Sequence, residues 1–596
     1  MDAKTVRIGG ASGFWGDSSV GAPQLVRHGD IDYLVFDYLA ELTMSILAAA
    51  RLRKPELGYA TDFVTVTMKT LLGEIAARGI RVVSNAGGMN PHGCAQAIAA
   101  LAAEQGLTLR IAVVEGDDVM PLLPHLREAG VQDIQKGRPL PEKVVSANAY
   151  LGALPIKQAL DQGAQIVITG RCVDSAVTLG VLMHEFGWQA DDYDRLAQGS
   201  LAGHIIECGC QATGGLHTDW ESVPDWHNIG YPVVECRADG TFLVGKPPAT
   251  GGLVNTATVG EQVLYEIGDP ATYLLPDVTC DFTQVALRQA APDLVEVSGA
   301  RGRAPGNAYK VCATYVDGFR CNAQLSIVGV DAVAKAERTA EAILARTRQL
   351  FGENGWGDYS RTRIEVLGAE SCFGPHAAVR HTREAVMRLA VMHPEKAALE
   401  LFAREIAAAG TSWAPGTTGS SGGRSSPSPS IRQYAFLLDK SVLSPTVVVD
   451  GVRSGVTIPL GEPAAPVAPT APAVAEQTGT GPAEHDTVEV PLIRLAYGRS
   501  GDKGDTSNIG LIARRPAYLP VLRAQVTGDR VADWLRHLVK GPVTRYDLPG
   551  FEAMNFVCDS ALDGGGMASL RNDPLGKGMA QILLTMPVRV PRELVS

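Results

Sequence analysis

The sequence lacks long apolar runs and has no excess of basic residues. No stretch comes near 18 consecutive apolar residues, which is about the length that a membrane-spanning helix requires. Lys and Arg number 53 against 64 Asp and Glu, and the formal net charge of −11 argues against a nucleic-acid-binding surface. We therefore expect neither a membrane nor a nucleic acid as a partner.

Paired cysteines are also absent. The ten cysteines are scattered along the chain, and no two of them form a CxxC pair. This spacing does not indicate a structural zinc site, and we expect reduced thiols that are mostly small buried residues. The first ten residues, MDAKTVRIGG, predict a strand and not the apolar segment of a signal peptide. The composition thus predicts a cytoplasmic protein.

What the chain does have is a regular alternation of strand and helix patterns over its first 200 residues. Since such alternation is typical of parallel sheets with right-handed crossovers, we predict an α/β fold with a doubly wound N-terminal region. Polar loops follow the predicted strands, and their side chains should meet in one crevice at the strand ends. The predicted strands lie at 5–8, 32–36, 81–84, 107–114 and 164–168.

Changes in composition divide the chain into four segments. An α/β domain with the ligand crevice is predicted over residues 1–230, and a mixed α+β domain over 231–460. Residues 461–485 are rich in Ala and Pro and predict an extended linker. Residues 486–596 predict a small α+β domain.

The stretch AQIVITGRCVDSAVTLG at 164–180 predicts a buried strand followed by a turn and a helix. It places Arg171 and Asp174 at the strand end, where α/β sheets bind ligands. The planar guanidinium of Arg171 matches a carboxylate in two-point contact, so we predict that it clamps a substrate carboxylate. Asp174 is a candidate base.

The candidate catalytic set is completed by Asp17, His204 and Glu207. His204, Glu207 and Cys208 would share one helix face if the helix continues through them. That arrangement could hold a metal or pair a base with a nucleophile, and the alternative is a capped helix end with a buried thiol. Asp17 follows a glycine-rich loop and is another candidate base. The candidate catalytic residues are therefore Asp17, Arg171, Asp174, His204 and Glu207.

Four polar or glycine-rich loops predict the substrate-binding residues. Backbone N–H groups in such loops can approach an anion closely, although each loop could also be a tight turn without a ligand. The charged loop RSGDKGD at 499–505 could equally be a solvated turn or a domain-docking surface. The predicted substrate-binding residues are Gly10, Ser12, Gly13, Asn85, Gly87, Gly88, Asn90, Thr213, Gly214, Gly215, Arg499, Asp502 and Lys503.

The sequence requires no cofactor, and we assign no metal ligands. A divalent metal stays open, because RSGDKGD sets Lys503 beside two carboxylates that could hold a Mg²⁺-phosphate group. A phosphotransferase is disfavoured, since the chain lacks GxxxxGK[ST].

Several long motifs resemble the acyclic terpene utilisation protein family (AtuA-like). They are GASGFWGDS at 10–18, SNAGGMNP at 84–91, TGRCVDSAVTLG at 169–180, ECGCQATGG at 207–215 and YEIGDPATYLLPDV at 265–278. RSGDKGD at 499–505 and the stretch from Gly564 to Lys577 resemble the small ferredoxin-like domain at the C-terminus of this family. The resemblance implies a place among enzymes that degrade citronellol and geraniol as acyl-CoA thioesters, and it supplies no established catalytic residues.

Together these observations predict a hydratase or C–C lyase that acts on a carboxylated acyl-CoA or a related acid. One alternative is a thioester hydrolase with Cys208 or Ser175 as nucleophile. Another is a non-catalytic subunit that organises a carboxylase or hydratase complex. We expect a small-molecule substrate and a homo-oligomer, for which a dimer is the commonest arrangement.

Overall fold

A computed structural model describes residues 4–419, 423–461 and 487–595. Its centre is a sheet of eleven strands, five of which run parallel. In spatial order the parallel strands are Thr5–Gly10, Tyr33–Phe36, Arg81–Ser84, Ile166–Thr169 and Ile111–Glu115. Antiparallel strands extend the first edge with Val233–Arg237, Phe242–Gly245, Leu294–Ser298 and Ala286–Ala291, and the other edge with Thr446–Val449 and Val452–Gly455.

The parallel strands are apolar because both of their faces are covered. Ile166–Thr169 is buried at all four positions. Val167 joins a hydrophobic cluster on one face, whereas Ile166 and Ile168 join a second cluster on the other face. The first cluster includes helices Leu154–Asp161, Ala176–Phe186 and Tyr193–Ile206, and the second includes Gly21–His28, Lys69–Arg78 and Pro91–Glu104. The mixed α/β architecture is therefore observed, and its doubly wound character stays a prediction.

Other helices connect or cover these elements. They are Glu41–Arg53, the π-helix Phe63–Met68, Leu123–Glu128 and Thr256–Val263. No helix in the described ranges is both long and apolar enough to cross a membrane.

Strands from both sides of the predicted domain boundary at residue 230 pair within this sheet. Val233–Arg237 pairs with Thr5–Gly10, and Thr446–Val449 pairs with Ile111–Glu115. Long-range pairing of this kind leaves no local trace in composition. The division of the chain into domains stays a prediction.

A second sheet is built around the long strand Ala308–Val328. Helices Ala332–Glu353 and Lys396–Glu405 pack on it through a separate hydrophobic cluster. Its other strands are Ser146–Ala149, Arg361–Leu367, Glu384–His393, Thr417–Gly419 and Ser428–Asp439, and a small neighbouring sheet contains Tyr273–Leu274, Thr279–Asp281 and Arg301–Arg303.

The C-terminal part has its own core and an antiparallel four-stranded sheet. Most of the predicted linker, from residue 462 onward, lies outside the described residues. The sheet has the order Ala496–Lys503, Thr506–Ala513, Ala553–Cys558 and Val543–Leu548, and Thr487–Pro491 pairs with Pro587–Pro591. The helices are Leu519–Gln525, Gly528–Trp534, Met579–Leu583 and Arg592–Val595.

The prediction of a loop over 499–505 was wrong for most of its length. Residues 496–503 form a strand that pairs in continuous register with 506–513, and the turn is confined to Gly504 and Asp505. Glycines are unusual in a strand and so favoured the prediction of a loop, yet the packing at Gly501 requires one. A Cβ at Gly501 would lie 2.5 Å from Cγ of Glu266.

A buried ion pair fixes this small domain against the rest of the chain. The Arg499 side chain is 5% exposed and that of Glu261 1% exposed, with Nη2 and Oε2 2.9 Å apart. His217 Nδ1 lies 3.0 Å from the same carboxylate. Burial alone would raise the pKa of Glu261, but His217 and Arg499 outweigh it and hold the pKa below its usual value. Glu261 therefore stays charged and paired.

We expect Glu261→Gln to lower the free energy of unfolding by about 3 kcal/mol or more, because it leaves the Arg499 guanidinium buried without a counter-charge. Urea denaturation at neutral pH measures the change. Glu400→Gln is the matched control, since Glu400 forms an exposed ion pair with Lys396 and should cost about 0.5 kcal/mol or less. Equal effects of the two substitutions would contradict this account of the interface.

Candidate functional site

Side chains that follow neighbouring parallel strands meet at one edge of the sheet. Ser12 Oγ donates to the Asp37 carbonyl over 3.2 Å, and Asn85 Nδ2 donates to the Asp37 carboxylate. A narrow pocket at this edge is lined by Gly10, Ser12, Asp37, Asp174 and Glu207, among others. These side chains lie together at the sheet edge, and a ligand-binding crevice there stays a prediction.

Arg171 and Asp174 form an ion pair beside this pocket. Nη1 of Arg171 donates to Asp174 Oδ1 over 2.9 Å and to the Cys172 carbonyl over 2.7 Å, and the guanidinium lies 4.0 Å from the centre of the Tyr150 ring. Arg171 is buried, whereas Asp174 is partly exposed. The ion pair with Arg171 thus fixes the position of the Asp174 carboxylate beside the pocket.

Asp117 fixes the backbone that carries Arg171. Its carboxylate accepts the Arg171 backbone N–H over 2.8 Å and Asn148 Nδ2 over 2.9 Å. Burial raises the pKa of Asp117 to about 6, although these hydrogen bonds oppose the shift. Gly170 is required here, because a Cβ at this position would lie 2.4 Å from Asp117 Oδ1.

His204 and Glu207 make a buried pair at the end of helix Tyr193–Ile206. His204 Nδ1 lies 3.1 Å from Glu207 Oε1, and Nε2 lies 3.3 Å from the Val263 carbonyl. Burial lowers the pKa of His204, but Glu207 and the Val263 contact reverse the effect, so the pKa is raised. Burial and Asp174 raise the pKa of Glu207 despite His204. The pair therefore retains a proton more readily than either group would in water.

Three carboxyl groups share this end of the crevice. Burial and the charges of Asp174 and Glu207 raise the pKa of Asp37 well above its usual value, although Arg171 opposes them. The crevice therefore favours the protonated forms of Asp37 and Glu207.

Lys503 approaches this acidic cluster from the C-terminal domain. Its Nζ donates to Glu266 Oε2 over 3.0 Å, and its side chain remains 51% exposed. Partial burial lowers the pKa of Lys503, but Glu266, Asp174, Tyr273 and Glu207 outweigh it and raise the pKa well above the usual value. The Lys503 side chain is thus half exposed and interacts with acids from both parts of the chain.

Lys577 adds a second positive charge next to Lys503. Its Nζ lies 2.9 Å from Glu266 Oε1 and 3.4 Å from Asp502 Oδ1, and it donates to the Tyr265 hydroxyl. Burial raises the pKa of Glu266, but the two lysines bring it down to about 2. Lys503, Lys577, Glu266 and Asp502 thus form a charged border between the two parts of the chain.

Several predicted binding residues have structural contacts. Asp17 Oδ2 accepts the Gly13 N–H over 2.9 Å and orders the glycine loop, but Asp17 itself is not among the residues that line the pocket. Asn90 caps helix Pro91–Glu104, and Thr213 donates to the Gly230 carbonyl over 2.5 Å. Contact of these residues with a substrate stays a prediction.

The predicted glycines permit close approaches. A Cβ at Gly10 would lie 2.4 Å from the Ile206 carbonyl oxygen, and one at Gly87 would lie 2.5 Å from that of Thr169. Gly88 and Gly214 have positive φ angles, and the Gly215 carbonyl accepts from Arg499. The predicted glycines at 10 and 13 flank Ser12, and a Cβ at 13 would contact Cys208.

Sequence reasoning did not select Asp37, Asp117, Glu266, Tyr273 or Lys577. Asp37 follows a strand just as Ser12 and Asn85 do, which was the signal available for it. Glu266 and Lys577 lie within long motifs but come together only through the contact between the two parts of the chain. Among the residues described, none are grouped as three or more His, Cys, Asp or Glu that could hold a metal ion.

Comparison with known proteins matches two family models to the chain. The model described as "Acyclic terpene utilisation family protein AtuA" matches residues 6–449, and "AtuA ferredoxin-like domain" matches residues 490–589. No curated protein and no solved structure matches the chain. The predicted resemblance is confirmed, and the C-terminal domain is ferredoxin-like.

The raised pKa of Asp37 predicts a pH-dependent stability. An acid whose pKa is higher in the folded than in the unfolded state loses stability as pH rises from the unfolded value towards the folded one. Asp37→Asn removes this loss. We expect the variant to gain stability relative to the wild type on going from pH 5 to pH 8, as measured by urea denaturation.

Asp191→Asn serves as the control, because Asp191 is exposed and should show the same difference from the wild type at both pH values. A pH-independent difference for Asp37→Asn would contradict the proposed environment of Asp37.

Proposed function

The chain belongs to the acyclic terpene utilisation family AtuA, and from this premise we propose that it is an enzyme of acyclic terpenoid or branched-chain acyl-CoA catabolism. The reaction we propose is that of a hydro-lyase or C–C lyase on a carboxylated acyl-CoA or a related acid. The observation that carries the proposal is the buried His204–Glu207 pair, with Nδ1 and Oε1 3.1 Å apart, in a pocket that Asp174 also lines.

Elimination of water from a hydroxyacyl thioester needs a base and an acid in one site. Asp174 would take the proton from the carbon next to the thioester carbonyl. Glu207, backed by His204, would donate its proton to the departing hydroxyl. The C–H and C–O bonds break, a C=C bond forms and water leaves, and the reverse sequence is hydration.

We assign Arg171 a positioning role in this scheme. Its Nη1 already donates to Asp174 and to a backbone carbonyl, and its ring contact with Tyr150 fixes the plane of the guanidinium. It therefore orients the base. The sequence had predicted a clamp for the substrate carboxylate, a role that these contacts do not favour.

Within the described residues, no contact favours either the thioester hydrolase or the non-catalytic subunit. Burial and the charges of Glu207 and Glu266 raise the pKa of Cys208 well above its usual value, so its thiol is poorly suited to act as a nucleophile. Ser175 is buried, and it packs closely against Gly203. A Cβ at Gly203 would lie 2.8 Å from the Ser175 backbone. A subunit that only organises other enzymes would not need acids that retain protons around a crevice.

The test is a mass-spectrometric screen of acyl-CoA thioesters for gain or loss of one water by the wild-type chain. For the thioester that turns over, Glu207→Gln and Asp174→Asn should each lower kcat by about 10²–10⁴, the usual contribution of a general acid or base. Glu104→Gln, an exposed helical position, should leave kcat unchanged.

Thermal denaturation checks that each variant is folded. Normal turnover in both site variants would rule out this mechanism. Release of free CoA in place of water exchange, lost on alkylation of Cys208, would support the hydrolase. Absence of any turnover by the wild type would favour the non-catalytic subunit.

A further inference from the structure

The C-terminal domain holds one strand firmly against the rest of the chain. Arg499 donates from Nη1 to Gln211 Oε1 over 2.7 Å and from Nη2 to the Gly215 carbonyl over 3.1 Å. The Gly498 N–H donates to Thr218 Oγ1 over 2.9 Å. Because these groups are buried, the position of strand Ala496–Lys503 is fixed by its contacts and not by the linker.

This strand ends at Lys503, whose Nζ binds Glu266, three residues after the Val263 carbonyl that contacts His204. Asn508 on the paired strand donates to the Leu264 carbonyl over 2.7 Å and accepts the Glu266 N–H over 2.9 Å. Both contacts hold the hairpin beside Glu266, which receives the Lys503 ammonium. About half of the Lys503 side chain is exposed, so the protein surface at this residue is open to a ligand.

A substrate carboxylate in this acidic crevice would be stabilised by a nearby cation. Asp37, Asp174 and Glu207 line the pocket, and a substrate with a free carboxylate would be repelled by whichever of them is ionised. Arg171 is buried against Asp174. Lys577 contacts Tyr265, Glu266 and Asp502, whereas Lys503 combines its Glu266 contact with an open surface.

We propose that Lys503 is a substrate-binding residue whose ammonium binds the free carboxylate of a carboxylated acyl thioester, so that docking of the ferredoxin-like domain completes the site. The thioester part of this inference rests on the proposed function. Because the acids nearby keep the ammonium protonated, Lys503 binds an anion and does not act as a base. The N-terminal part supplies the acid and base, and the C-terminal domain supplies the anion contact.

The test measures binding, not turnover. Glutaryl-CoA and pentanoyl-CoA differ by the terminal carboxylate and carry the same CoA, so the ratio of their dissociation constants reports the carboxylate contact. Calorimetric titration of the full chain should show glutaryl-CoA binding about tenfold tighter or more, the order expected of a charge-assisted contact. Lys503→Met should bring the ratio to about one, and Lys503→Arg should retain most of it.

Lys396→Met is the matched control, because Lys396 lies in an exposed helical ion pair and should leave the preference intact. An undiminished preference in Lys503→Met would overturn the proposal. So would equal weakening of both thioesters, which would place Lys503 against the CoA phosphates. No preference in the wild type, or no binding of glutaryl-CoA, would also overturn it.

The two proposals fail separately. If the wild type prefers glutaryl-CoA through Lys503 while Glu207→Gln turns over normally, the binding assignment stands and the acid–base mechanism does not. If the preference is insensitive to Lys503 while Glu207→Gln lowers kcat as expected, the reaction stands and the anion contact lies elsewhere.

Discussion

The buried pairing of Arg499 with Glu261 is the interaction on which the rest of the arrangement depends. A guanidinium and a carboxylate withdrawn from water tolerate little displacement, since loss of either partner strands the other charge in an apolar setting. The pair therefore works as a positional constraint more than as a source of net stability. It determines where the hairpin at 496–513 lies relative to Glu266, and hence where the Lys503 ammonium lies relative to the crevice.

The crevice itself is shaped by close backbone approaches. Gly10 brings the end of the first strand against the carbonyl of Ile206, two residues after His204. Gly170 lets the Asp117 carboxylate reach the backbone of Arg171. Packing withdraws the carboxyl groups of Asp37 and Glu207 from water, and this burial, together with the charge of Asp174, raises their pKa values. The raised pKa values in this site are thus a consequence of packing.

The sequence predicted the local part of this picture well. The strand Arg81–Ser84 has the predicted limits, the His204–Glu207 spacing does bring the two side chains together, and Arg171 and Asp174 do meet after the strand. What it missed depends on contacts between distant segments. Arg499 lies 238 residues from Glu261, and no local pattern distinguishes a buried guanidinium among glycines from a solvated one. The same glycines concealed the strand that carries it.

The central claim is that the ferredoxin-like domain docks on the crevice, and the backbone N–H of Glu266 tests it most directly. This amide lies outside the helices and strands, and it donates to Asn508 across the interface. Hydrogen exchange of the full chain, resolved to this residue, should be slower than in an unstructured peptide by about 100-fold or more, and Asn508→Ala should remove that protection. Exchange of the wild-type amide at the rate of an exposed loop would contradict the account.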